Sequence, residues 1–306
     1  MNPIIHADCR HFLGDRPCHP HKKEGVKCGD CPHHEQVQNR ILVIKLDALG
    51  DVLRSTCILE ALHEEYPGAR VEWVTRSNAA MLFEGNPLVH RVHPFPGITW
   101  LDLQTREYDI VINLDNASLS SQLAMLAKGR TKLGFGYHPD GYIFPFDENA
   151  REWYEMGLFD ERKQANRKTY QTIAMEICGL PPRPDRIHLY LDAQETQWAR
   201  RRKAEWGLSD GQTLVGLNTG SSARWPHKKW TEEGFITLAR MLTDSASSMD
   251  KPLGLLLLGG PEERERNQRI AASGLPFVVD TGADNSLREF FAIVGLCDVV
   301  VTGDTL

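Results

Sequence analysis

The stretch ILVIKLDALGDVLRST, residues 41–56, sets one aspartate directly after one glycine, between an apolar run and an amphipathic run. That pattern predicts a strand passing straight into a helix, where α/β proteins place ligands. Gly50 allows a tight turn in which a side chain would crowd the backbone or a ligand. Asp51 then lies at the helix N-terminus, at the carboxyl edge of a sheet. Two kinds of work suit a carboxylate there. It caps the helix and complements the positive end of its dipole, or it faces a ligand in the cleft. Neither the glycines of a dinucleotide loop nor the Gly-Lys-Ser/Thr of a P-loop is present. A second reactive group is Cys9, Cys18, Cys28 and Cys31, spaced C-x8-C-x9-C-x2-C. Cys28-x-x-Cys31 is a chelating pair, and four thiolates suit a structural zinc that would hold a segment too small for its own core. The spacing departs from the ferredoxin patterns, so an iron–sulfur cluster ranks second. His19, His21, His33 and His34 are alternative ligands. Without a metal the cysteines would be plain thiols in a flexible arm. Cys57, Cys178 and Cys297 fall in helical or strand patterns and are expected in cores.

These groups need a frame. The chain has 306 residues, enough for about two domains. Its net charge of −6 argues against a nucleic-acid footprint over the whole chain. Aromatic and basic interleaving in the Cys/His arm is thin, so no nucleic-acid partner is expected. There is no run of about 18 apolar residues and no signal peptide at the N-terminus, which together suggest a cytoplasmic protein. In that reducing compartment a cysteine cluster suggests metal before disulfides.

Apolar strand-like runs recur at 41–46, 70–75, 90–95, 108–115 and 132–137, with helix-like stretches at 51–66, 119–128 and 151–179. Continuous apolar strands alternating with helices imply an α/β fold with a parallel sheet covered on both faces. LPPRPDR, 180–186, reads as a stiff linker and a domain boundary. The alternation then restarts. HLYLD (188–192) leads into a helix at 193–206, and strand-like runs follow at 213–220, 253–260, 277–282 and 298–304, with helices between them. The expected division is a Cys-rich segment at 1–35, one Rossmann-like domain at 36–180 and a second at 187–306. The final CDVVVTGDTL reads as a buried strand cut at its tip, so the second domain is expected to be incomplete.

Residues 41–56 resemble the N-terminal signature of the heptosyltransferase-like glycosyltransferases, family 9. That signature is an apolar strand, a lysine, a short polar stretch, then Leu/Met-Gly-Asp and a helix. The resemblance implies Asp51 as general base and matches Lys45 to the family's strand-end lysine. NTGSSARWPHKKWTEEGF (218–235) alone would be a solvated basic loop. In order with the other motifs it is similar to the family's hydroxyl-rich loop and Lys-x-Trp. This implies Lys228 on a diphosphate, with Arg224 as runner-up and Thr219, Gly220, Ser221 and Ser222 as donors. LLLLGGPEERE (255–265) resembles the nucleotide-binding element. Gly260 would permit close approach, and Glu263, or its neighbour Glu262, would contact the ribose; the rival reading is helix-dipole complementarity. In VVVTGDTL, Asp304 and Thr305 match the family's Asp-Ser/Thr. Leu306 departs from the commoner Gly, and the family's histidine would lie beyond it.

The resemblance covers about residues 40–306 and implies the GT-B fold, two Rossmann-like domains facing a cleft with the donor on the second. The implied activity is an inverting, metal-independent transfer of a sugar from a nucleoside-diphosphate sugar. The family's best-known donor is ADP-heptose and its acceptor the lipopolysaccharide inner core. An acceptor hydroxyl is a poor nucleophile, and a positioned base adds about 10²–10⁴-fold. A glycolipid or polysaccharide acceptor would dock on the first domain, with peripheral membrane contact if it is membrane-attached. The alternative is a catalytically silent sugar-nucleotide-binding protein with a zinc arm; Asp51 and Lys228 together argue against it. A nicotinamide oxidoreductase is disfavoured by the missing G-x-G-x-x-G.

Overall fold

The structure is a computed structural model that describes residues 4–97, 99–183, 186–220, 229–246 and 252–303. The chain divides into two compact units, Met1–Tyr190 and Leu191–Leu306. Each is α/β with a sheet that is parallel apart from the last strand of the first unit, as the alternation of apolar strands and helices leads one to expect.

The first unit holds β1 (Asn39–Ile44), β2 (Ala69–Arg76), β3 (Arg91–Phe95), β4 (Glu107–Asn113), β5 (Lys128–Tyr137) and β6 (Ile143–Pro145). Their order is β3-β2-β1-β4-β5-β6. β1 pairs in parallel with β2 and β4, and Ile41 to Ile44 are fully buried. A strand buried on both faces reads as an unbroken apolar run, and ILVI is one. β5 runs parallel to β4 as far as Gly134 and then pairs antiparallel with β6. Gly134 makes that bend at φ +84°, where a Cβ would meet the Asn113 carbonyl at 1.9 Å.

The second unit holds β7 (Thr213–Asn218), β8 (Leu253–Leu258), β9 (Val278–Asp280) and β10 (Val299–Thr302), ordered β10-β7-β8-β9 and all parallel. The period of two is visible in β8. Leu253, Leu255 and Leu257 join one core with Phe235 and Ile270, while Leu256 and Leu258 join another with Leu208 and Ile293. Two capping boxes start the helices on the second face. Asp192 and Glu195 bond each other's backbone N–H at 2.7 and 2.8 Å, and Ser286 and Glu289 do so at 3.2 and 2.7 Å. Arg288 clamps Glu195 with Nε and Nη2 at 2.6 and 2.5 Å, joining those two helices.

Four expectations change. The single helix expected at 151–179 is three helices, Arg151–Leu158, Asp160–Ala165 and Tyr170–Ile177. Phe159 and Asn166 are extended, and Thr169 caps the last helix by accepting from Thr172 N–H. The helix expected at 51–66 breaks at Thr56–Cys57 into Leu49–Ser55 and Ile58–Glu65. HLYLD forms no strand. The His188 N–H goes to Thr56 Oγ1 at 2.8 Å, and its carbonyl accepts from Asn86 Nδ2 at 3.4 Å, so side chains satisfy the backbone that a ladder would have used. β10, expected to be buried, is a sheet edge with Val299 and Val300 53% and 39% exposed. Cys57 and Cys178 are core residues as expected, and burial pushes the Cys178 thiol well up; Cys297 is half-buried.

Candidate active site

In the first unit the carboxyl ends of β1, β4 and β5 are stitched together by polar side chains. Lys45 follows β1 and is almost fully buried. Its ammonium donates to the Asp115 carboxylate and to the Asp47 carbonyl. Leu46 N–H donates to the other Asp115 oxygen at 2.6 Å. Asn113 Nδ2 donates to Phe135 O at 2.8 Å and to Asp115 O at 3.1 Å, while Asn113 Oδ1 accepts from Asp115 N–H at 3.1 Å. Lys45 is therefore a buried strut that shapes the turn at 46–48.

That turn feeds the helix Leu49–Ser55, which Ala48 begins. Gly50 sits inside the helix and is not among the positive-φ glycines. The expectation that Gly50 makes the turn is corrected: residues 46–48 complete it. Asp51 is third in the helix, and its carboxylate lies 3.5 Å from the Ala48 N–H. Asp51 is thus part of the cap while its side chain stays 39% exposed. Arg54, one turn on, donates to Asp51 Oδ1 and stacks over the Tyr170 ring at 4.5 Å. Ser55 Oγ bonds Asp51 O at 2.6 Å and Tyr170 Oη at 2.7 Å. Burial, with the negative charges of Asp115 and Asp51, raises the Tyr170 phenol well above its usual range. Asp115, Arg54 and Tyr170 escaped the sequence reading. Only the i, i+3 spacing of Asp51 and Arg54 was available as a signal.

In the second unit the carboxyl ends of β7 and β8 meet around a buried carboxylate. Glu263 is 7% exposed, whereas Glu262 is exposed. Glu263 Oε2 accepts from Gly260 N–H at 3.1 Å, and Lys229 Nζ lies 3.5 Å from Oε1. A Cβ at Gly220 would sit 2.8 Å from Glu263 Cδ, and one at Gly259 would sit 2.7 Å from Glu263 Cβ. These two glycines, more than Gly260, make the room that Glu263 occupies. Thr219 is buried, with Oγ1 2.5 Å from Asn267 Oδ1 and 3.2 Å from Leu258 O. Its hydroxyl is engaged inward rather than offered as a donor. Arg266 Nη1 holds Thr219 O at 2.8 Å and its guanidinium lies over Phe235. Burial lowers the Arg266 pKa from its usual value. Lys229, Arg266 and Asn267 were not singled out from sequence, and the burial that distinguishes Glu263 from Glu262 follows from helix phase. Ser221, Ser222, Arg224, Lys228, Asp304 and Thr305 lie outside the described residues.

Cys9, Cys18, Cys28 and Cys31 all line one small cavity. Among the described residues, the potential ligand atoms that lie within 4.8 Å of one another belong instead to His6, Asp8 and His34, and His6 and His34 line that same cavity. A larger cavity, about 1090 Å³, opens at the amino ends of the strands between Arg40, Arg70, Arg106 and Glu72. It lies on the edge opposite Asp51, whereas ligands of parallel sheets bind outside the carboxyl ends. No described helix is long and apolar enough to cross a membrane.

The sequence pattern of glycosyltransferase family 9 (heptosyltransferase) matches residues 99–305. The chain belongs to glycosyltransferase family 9. Among curated members, the lipopolysaccharide core heptosyltransferase OpsX of Haemophilus influenzae is 23% identical over 286 residues, covering 90% of this chain and 76% of that protein. Lipopolysaccharide heptosyltransferase 1 of Escherichia coli K12 is 23% identical over 292 residues, covering 87% and 82%. The fold agrees with solved family 9 structures. A family 9 glycosyltransferase from Veillonella parvula superposes with a TM-score of 0.64 at 21% identity, covering 89% of this chain and 76% of that one. The E. coli heptosyltransferase WaaC with ADP gives 0.55 at 20% identity, covering 87% and 81%. The α/β expectation and the GT-B assignment therefore hold, and this family 9 chain is a glycosyltransferase.

Proposed function

We propose that this glycosyltransferase moves a heptose from ADP-heptose to a glycolipid or polysaccharide acceptor of the lipopolysaccharide-core type, with inversion and without a catalytic metal. Family membership and the names of its relatives support the substrate class. The observation that carries the chemistry is Asp51, a part-exposed carboxylate at the carboxyl edge of β1, anchored by Arg54 and by the turn that Lys45 and Asp115 hold. In this reading the acceptor oxygen attacks the anomeric carbon. Asp51 takes the hydroxyl proton, and the bond from that carbon to the diphosphate breaks as the nucleoside diphosphate leaves. One displacement inverts the centre. Lys228, with Arg224 behind it, and the Ser221–Ser222 backbone would meet the charge growing on the diphosphate. Glu263, held between Gly220 and Gly259, would take the ribose hydroxyls, with Asp304 and Thr305 near the sugar. Residues 36–180 would form the acceptor domain and 187–306 the donor domain. A lipid-linked acceptor would be reached from the cytoplasm by peripheral contact.

Calorimetric titration of the full chain with ADP-, GDP-, UDP- and CDP-sugars tests this. Expected is micromolar binding of ADP-heptose, weakened by Lys228→Ala and unchanged by Asp51→Ala, with turnover lost in Asp51→Ala. Binding of no sugar nucleotide would sink the reading. Binding without transfer to any core acceptor would favour the silent scaffold.

A further inference from the structure

The N-terminal arm has backbone order without a core. Among residues 4–38 only Pro20 is buried. A segment of that size needs a covalent or metal staple. Yet its turns are defined, and each presents a thiol. Cys31 N–H reaches Cys28 O at 3.4 Å across the short 3₁₀ turn Cys28–Asp30, giving the tight loop of a chelating pair. Cys18 starts the helix His19–Glu24, with Lys22 N–H on its carbonyl at 3.0 Å. Cys9 lies in a turn closed by Phe12 N–H at 3.0 Å and bridges to Gln36. All four are free thiols around one cavity of about 30 Å³. The C-x8-C-x9-C-x2-C spacing departs from the ferredoxin patterns, which favours a single ion over an iron–sulfur cluster. Three of the neighbouring histidines have carboxylate partners. His33 Nε2 lies 2.7 Å from Glu24, His11 Nε2 3.5 Å from Glu35 and His34 Nε2 3.7 Å from Asp8.

We propose that Cys9, Cys18, Cys28 and Cys31 bind one zinc ion as a tetrathiolate that staples residues 4–38 to the amino edge of the first sheet. Soft thiolates and tetrahedral closure select zinc. The staple has somewhere to pull. Arg10 Nη2 donates to Ala69 O at 2.8 Å, Val37 N–H to Asp8 O at 2.8 Å, and Gln38 N–H to Gly68 O at 3.2 Å. These contacts fix the arm at the starts of β1 and β2. The site is structural and independent of the donor chemistry.

The test is elemental analysis of the full chain purified without added chelator, followed by Zn²⁺ titration of chelator-stripped protein. Expected is about one zinc per chain in a closed four-ligand site, lost in Cys28→Ser and in Cys9→Ser, retained in His33→Ala and His34→Ala. The histidine variants matter because a ring held at Nε2 by a carboxylate still offers Nδ1. Replacing zinc with Co²⁺ should give the intense visible bands of a tetrahedral thiolate site. If a cysteine variant does not fold, the wild-type metal content, and protection of four thiols from a disulfide reagent by Zn²⁺, decide. Iron with acid-labile sulfide, zinc lost in the histidine variants, or thiols equally reactive with and without Zn²⁺ would each overturn the proposal.

Discussion

In the proposed mechanism Asp51 does two jobs that substitution separates. As a member of the helix cap it needs only an acceptor near Ala48 N–H; as a base it needs a proton-accepting carboxylate. Asp51→Asn keeps an oxygen for the cap and removes the base. Turnover should fall by about 10²–10⁴, with donor affinity within about twofold, as single-turnover rates and calorimetry would read. Lys45 and Asp115 behave differently, because both are buried. Lys45→Met leaves the Asp115 carboxylate without its cation and should cost about 3–5 kcal/mol, seen as a lower urea midpoint. The double variant Lys45→Met/Asp115→Leu should recover much of that loss. At Gly220 the question is space. Gly220→Ala sets a methyl 2.8 Å from Glu263 Cδ, so Glu263 must shift. ADP should bind about tenfold more weakly, about 1.4 kcal/mol, while the fold is kept.

At the scale of elements, the amino half of the first sheet carries a buried charge network that gives the unit an acid limit. Glu72 on β2 is bonded by His93 Nε2 at 2.8 Å, Tyr108 Oη at 3.1 Å and Arg70 Nε at 3.1 Å. Burial raises its pKa, but the His93 bond and charge with Arg70 and Arg106 outweigh it and bring it from 4.5 to about 2. A depressed carboxylate contributes stability that is complete above its unfolded value and lost as pH falls. The window is therefore between about pH 4.5 and 2, worth about 3 kcal/mol at most. Urea unfolding at pH 7 and pH 3 should show about 2 kcal/mol of that loss in the wild type and a flatter profile in Glu72→Gln. Elements were also what the sequence announced best. ILVI and LLLL are unbroken apolar runs because both sheet faces are covered. The breaks at Phe159 and Asn166 were hidden, because neither residue is a helix breaker by type. The motif pointed to Asp51. Its supports did not show, since Asp115 and Tyr170 come to it through the fold and not through spacing. Glu263 differs from Glu262 only by which side of one helical turn it occupies.

For the whole molecule, ligand and metal should act on separate units. ADP at about 100 times its Kd should stabilise the folded chain by about 2.7 kcal/mol, read as a rise in thermal midpoint. If the proposed zinc is bound, its removal should lower the stability of the 1–190 unit and leave the ADP-dependent rise intact. A chelated protein that no longer responds to ADP would show that the arm and the donor site are coupled.

Parallel strands have a head and a tail. The arm grips residues 36–38 and 68–69, at the tail. Asp51 lies past the head of β1, about 20 Å away along a six-residue strand. Immobilisation chemistry can use that polarity. A resin, a fluorophore or an affinity handle joined through the arm hangs from the far side of the sheet, so a tethered enzyme layer would present Asp51 to free solution.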